Sequence, residues 1–279
     1  MRHRIADTTR ALFAHTPYPL DHTLEFPGDP GLFGPGSITW TVVGDVSSFV
    51  GGIRALLVQA AHPEVVAGVA DHSLYKRDPL GRLSRTSAYV TATTFGAMPE
   101  IEQALHAVRV AHRRVEGTSH RGVPYNADDP DLSSWVHNAL AESFLLAYQA
   151  YGPRRLTRQE EDAYAVEQAR LGELVGAAFL PRTAAEMSAW LATYPALAPS
   201  PGMRDAVDFL RRPPLNPPTL LGYLVLFKAA VATIPAHTLG VLGLRPRPGA
   251  AAVGRVAVAF LRWALGESPS KVLAEQRIG

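Results

Sequence analysis

Residues 79–116 read PLGRLSRTSAYVTATTFGAMPEIEQALHAVRVAHRRVE, and this stretch decides how the chain is read. Pro79 and Pro99 each suit the first turn of a helix, where a missing N–H leaves no broken bond, and Glu100 complements the positive end of the second helix. The spacing predicts one helix from Pro79 to about Phe95 and another from Pro99 to about Glu116. On the first, Arg82, Arg85 and Thr86 fall at offsets zero, three and four and so share a face. On the second, Arg109 and His112 are three positions apart, and Glu116 lies one turn further along nearly the same face. Two neighbouring helices therefore present polar groups that can meet one ligand.

Helical signals extend outward in both directions. Phe26 to Gly36 is rich in Gly and Pro and reads as an entry loop, after which Ser37 caps a helix running toward Gly51-Gly52, a pair that marks a kink or a close helix contact. His62-Pro63 separates two short helices, because proline disfavours helical geometry at the residue before it. Asp129-Pro130 opens a long helix through Tyr151, stopped by Gly152-Pro153. Thr157 with Glu160 and Thr183 with Glu186 have the hydroxyl-carboxylate spacing that caps a helix start. Proline clusters at 195–201, 213–218 and 246–248 divide the remainder into further apolar segments. Alternating strand patterns are scarce and no fixed-period repeat is present. The expectation is an all-α fold: one globular domain over residues 1–279, of roughly a dozen helices, with a buried cofactor pocket between them.

Composition narrows the function classes. Of 279 residues, 47% are hydrophobic and 19% charged, enough apolar material for a large core. The formal charge is +2 with basic residues scattered, which lacks the footprint of a nucleic-acid binder. No cysteine is present, excluding disulfides, iron–sulfur clusters and thiolate-ligated haem and leaving His and carboxylates as metal ligands. Met1 to Arg10 is charged without an apolar signal core, so cytoplasmic residence is the default expectation. Residues 219–242 are strongly apolar but interrupted by Lys228, Pro235 and His237, which predicts a buried helix rather than a transmembrane span and leaves a peripheral membrane contact open.

Six of the ten histidines fall between Gly51 and Gly152. The ordered set Gly51-Gly52-Ile53-Arg54, His62-Pro63, Asp71-His72-Ser73, Gly81-Arg82-Leu83-Ser84-Arg85-Thr86, Arg109 to Gly117 and Trp135-Val136-His137 resembles the catalytic domain shared by the latex-clearing rubber oxygenases and the MpaB-type oxygenases, over about residues 35–180. The resemblance implies a helical domain with a b-type haem, with iron and dioxygen as the reactive partners. It makes His112 the proximal iron ligand, Arg109 the arginine one turn before it, and Arg82, Arg85 and Thr86 the distal set. Where a rubber oxygenase carries lysine this chain has Arg85, a residue that stays cationic and donates hydrogen bonds rather than ligating iron. Glu116 stands where an arginine fits the pattern and is a candidate hydrogen-bond partner for His112.

The function expected is a haem-dependent oxidoreductase, an oxygenase acting on an apolar or isoprenoid-like small molecule. Arg82 and Arg109 can fork onto haem propionates, and Arg85 and Thr86 are the catalytic candidates beside dioxygen. An unidentified electron donor would be a further partner. His137, beside Trp135, is the reserve metal ligand, whereas His62, His72 and Tyr125 read as structural. Two alternatives stay open on the residues alone: a non-catalytic protein that binds haem or an apolar ligand, and a non-haem metal enzyme drawing on His62, His72, His112 and His137, although none forms a His-Glu-x-x-His pattern.

Overall fold

The computed structural model describes residues 7–8, 11–12, 14–73 and 76–279. Those residues form thirteen α-helices, one 3₁₀ turn and one two-stranded hairpin. The helices are α1 (Ile38–Val43), α2 (Ser48–Ala60), α3 (Pro63–His72), α4 (Pro79–Phe95), α5 (Met98–His112), α6 (Pro130–Tyr151), α7 (Arg158–Leu174), α8 (Ala184–Ala192), α9 (Pro201–Arg211), α10 (Pro217–Val231), α11 (Ala236–Leu242), α12 (Ala250–Leu265) and α13 (Pro269–Ile278). The all-α class holds.

Local chemistry accounts for most helix starts. Asp78, Asp129, Asn216 and Ser268 accept hydrogen bonds from backbone N–H groups of the helices they precede, each with proline in the first turn. The Thr157/Glu160 and Thr183/Glu186 capping boxes both form. Ser37 Oγ accepts from Trp40 N as expected. The helix it opens, however, stops at Val43, where a Cβ on Gly44 would lie 2.6 Å from the Trp40 carbonyl. Asp45 then turns the chain by accepting from Ser47 N and holds Arg262 with both carboxylate oxygens.

The centre of the molecule is α2 packed along α6, with α10 and α12 laid against them. Gly51 permits the close approach: a Cβ there would meet Phe144 Cδ1 at 2.6 Å and its Cα at 3.0 Å, whereas one on Gly52 meets nothing within 4 Å. The Gly-Gly pair is thus a helix contact and not a kink. Around the seam, Leu57, Val58, Trp135, Leu145, Tyr148 and Tyr164 form the main apolar core. Arg54, with no exposed surface, lies inside it and donates to Ser143 Oγ (2.7 Å) and Glu142 Oε2 (2.9 Å).

Two further features differ from the sequence reading. The α5 helix ends at His112, four residues early, and Glu116 starts the strand Glu116–Thr118 (β1), antiparallel to Pro124–Asn126 (β2). Tyr125, only 5% exposed, anchors this hairpin by donating to Asp71 Oδ2 at 2.6 Å. Residues 219–242 are two helices broken at Ala232–Pro235, and no helix among the described residues is long and apolar enough to cross a membrane.

Candidate active site

Helices α2 to α6, with α9, α10 and α12, surround a cleft of about 3130 Å³. Small-molecule sites commonly occupy roughly 300–1,000 Å³, and this cleft, partly open to solvent, exceeds that range. Its wall is largely apolar, with Val65, Val69, Tyr89, Val90, Leu140 and Phe144 among the contributors.

Polar groups enter this wall from three helices. From α4 come Arg82, Arg85 and Thr86, from the last turn of α5 come Arg109 and His112, and from α6 comes His137. The six residues singled out in the sequence thus line one cleft. Arg82 donates to Ser73 Oγ. Arg85 reaches Asp78 Oδ2 at 3.3 Å in an exposed pair, a weak tether that a ligand can replace. Arg109 and Thr86 are exposed, and no side-chain hydrogen bond or ion pair engages either among the described residues.

The four histidines of the cleft differ in how their ring nitrogens are used. His22 Nδ1 pairs with Glu25, His72 Nε2 bonds the Glu116 carbonyl at 3.0 Å, and His137 Nε2 donates to the Gln168 carbonyl at 2.9 Å. His112 is half-buried with both nitrogens unengaged by any described residue. Burial lowers its pKa, opposed by the field of Asp128, so the ring is biased toward the neutral form that offers a lone pair. His137 is driven further, to about 4, because burial outweighs the bond to Gln168. Gly172 leaves room beside the ring: a Cβ there would sit 2.5 Å from Leu180 Cδ2 and 3.2 Å from His137 Nε2.

Glu116 does not share a helical face with His112, because the helix has ended. Its carbonyl serves His72, and the carboxylate felt by His112 is that of Asp128. Sequence reasoning also missed Glu64, a carboxylate 4% exposed in the cleft wall. Glu64 accepts from Ser119 Oγ (2.7 Å), Arg121 Nε (2.8 Å) and Arg121 Nη2 (2.5 Å), and so fastens the hairpin to α3. Burial would raise its pKa, but those bonds overcome it and hold the group ionised. Fifty-seven residues separate Glu64 from Arg121, so no local spacing signals the pair.

Among the described residues, no group of three or more His, Asp or Glu side chains is arranged to hold a metal ion. The non-haem reading, which draws on some of His62, His72, His112 and His137, finds no such group among the described residues. His62 instead packs between Trp135 and Tyr194.

Compared with protein families, residues 40–263 match the family described as ER-bound oxygenase mpaB/B'/Rubber oxygenase, catalytic domain. The chain belongs to this family. No curated protein and no solved structure matches it. The mpaB/rubber oxygenase catalytic domain extends further toward the C-terminus than the 35–180 read from the sequence, and it takes in α8 to α11 and nearly all of α12. That extent agrees with the cleft, whose wall includes Tyr223 and Leu226 of α10 and Ala257 and Leu261 of α12. As a member of an oxygenase catalytic-domain family, the protein is an enzyme whose chemistry uses dioxygen.

Proposed function

We propose that this oxygenase depends on haem b and acts on an apolar, isoprenoid-like small molecule, with His112 as the protein ligand to iron. The observation that carries the reading is the contrast among the cleft histidines. His22, His72 and His137 each commit a ring nitrogen to the protein, while His112 is half-buried, biased toward neutrality and uncommitted.

The donor set fits haem. A porphyrin supplies four nitrogens to its iron, so a single imidazole suffices from the protein where a non-haem site needs several ligands together. Bound haem supplies a redox-active iron at which dioxygen is brought into reaction with a carbon–carbon double bond. Arg109, which no described side chain engages, is the cation available to a propionate, and Arg82, which donates to Ser73 Oγ, stands on the same wall. Arg85 and Thr86 supply hydrogen-bond donors on the same wall, and Arg85 keeps its proton where a lysine could lose it. The apolar surface of α2, α3 and α6 holds the hydrocarbon and excludes water around it.

The test is absorption spectroscopy and acidic extraction of protein produced with adequate iron and haem precursor. One non-covalent b-type haem per chain is expected, with no second nitrogen ligand contributed by position 85. His112→Ala should lose haem at unchanged circular dichroism, while His72→Ala keeps it. A preparation without haem that also rejects added haem defeats the proposal. If His137→Ala alone loses haem, the ligand is His137, whose Nδ1 is the nitrogen left over by its bond to Gln168. Haem binding without oxygen consumption on any isoprenoid would instead point to a carrier.

A further inference from the structure

Helix α12 is apolar on the side that faces away from the protein. Gly254 and Val258 point inward, Gly254 so closely that a Cβ would lie 2.7 Å from Ala229 and 3.0 Å from Tyr151. Ala252, Val253, Val256, Ala259, Phe260 and Trp263 fall on the opposite side at helical spacing. Val256 is 72% exposed, Val253 56% and Trp263 53%, and Phe260 and Trp263 lie ring to ring at 5.7 Å. Neighbouring α10 adds Leu221, 70% exposed. A surface helix ordinarily turns charge to water, so a continuous stripe of this kind marks a surface that something else covers.

The charge around the stripe identifies what covers it. From Phe209 to Gly266 the chain contains no Asp or Glu, yet it carries Arg211, Arg212, Lys228, Arg245, Arg247, Arg255 and Arg262. Arg262 is committed to Asp45 and Arg211 to Asp208. Lys228, Arg245, Arg247 and Arg255 are exposed, with Arg245 and Arg247 directly before α12 and Arg255 on its flank. An apolar helical face with aromatic residues, bordered by four exposed cations against the one carboxylate that follows the helix, Glu267, is complementary to an anionic lipid surface, where rings enter the acyl boundary and cations meet headgroups.

We propose that the α10–α12 face docks the protein on anionic membranes as a peripheral contact. The cleft reaches this face, because Val225, Ala257, Phe260 and Leu261 belong to its wall. Entry of an apolar substrate from the bilayer by that route rests on the oxygenase reading, whereas docking does not.

Co-sedimentation of the full chain with vesicles of phosphatidylcholine alone, or mixed with phosphatidylglycerol, tests the proposal independently of haem or turnover. Binding to the mixed vesicles, weakening as salt rises, is expected. The double variant Val256→Asp/Phe260→Asp should abolish it at unchanged circular dichroism. Arg245→Gln/Arg247→Gln should lower it by about five-fold for each cation removed. Failure to bind either vesicle overturns the proposal, as does equal binding by the double aspartate variant. A solution dimer that the aspartate variant converts to monomer also overturns it, since a second copy would then be the occupant.

Discussion

Arg54 and Arg109 are the same residue type used in opposite ways. Arg54 sits in the α2–α6 seam with no exposed surface, spending its guanidinium on Glu142 and Ser143. Arg109 stands in the cleft wall, exposed, with no described side-chain partner. Burying a charge is tolerable only when it is paired, so the two terminal nitrogens of Arg54 are committed to holding the fold together, and only its Nε is left without an acceptor. The cleft has kept its capacity in reserve. The comparison teaches that unspent donors and lone pairs, more than the number of polar residues, separate a site from a scaffold.

The largest break of that contrast comes from the seam. Glu142→Ala leaves Arg54 buried without its counter-ion and should cost about 3–5 kcal/mol of unfolding free energy, read by chemical denaturation. The paired replacement Arg54→Met/Glu142→Leu should recover most of the loss, because no uncompensated charge remains. If both variants lose equally, the seam is held by packing alone.

Acid should act next most strongly, and through structural histidines. His62 and His137 both have folded pKa values lowered to about 4, chiefly by burial. An unfolded histidine titrates near 6.5, so between about 6.5 and 4 the unfolded chain binds more protons. Stability is therefore full above 6.5 and falls as pH drops toward 4, by an upper limit of about 3 kcal/mol for each ring. His137→Gln should flatten this slope in denaturation measured across the window. A slope unchanged in that variant would show that His137 does not stay neutral in the fold.

Effects in the cleft should be smaller in stability and specific to ligand. His112→Ala should change unfolding free energy by less than about 1 kcal/mol, yet lower haem occupancy at least ten-fold. Arg109→Gln should be smallest: within about 0.5 kcal/mol in stability, as for other surface changes, with haem affinity reduced a few-fold. Parallel titration of apo protein with haem and denaturation of the same samples separates the two quantities. A large stability loss in either variant would mean that the cleft, like the seam, is scaffold.

What the sequence made legible follows the same division. Helix starts at Pro79, Pro130, Thr157 and Thr183 could be read because proline and capping side chains act within four residues. The end of α5 could not, since Arg113 and Arg114 carry no stop signal. The helix ends there because β1 pairs with β2, and Gly117 lies so close under Tyr125 that a Cβ would meet its hydroxyl at 2.5 Å. Helical offsets brought Arg82, Arg85, Thr86, Arg109 and His112 to one wall, but they mistook Glu116 for a member. Glu64 with Arg121, Arg54 with Glu142, and His137 with the Gln168 carbonyl are joined across 31 to 88 positions, and only the folded chain brings them together.

Arg277 adds a matter of timing. This buried side chain of α13 donates to Thr23 Oγ1 at 2.6 Å and to the carbonyls of Asp29 and Phe95, both at 2.8 Å, while its own carbonyl accepts from Gly28 N. It thereby latches the segment from Thr23 to Asp29 beside the end of α4, and His22, Glu25, Phe26 and Phe95 all border the cleft. On the ribosome α2 to α12 emerge before α13, which adds only Pro269 and Ser270 to the cleft wall. The nascent domain therefore passes through an interval in which most of its cleft wall exists but one side is unfastened.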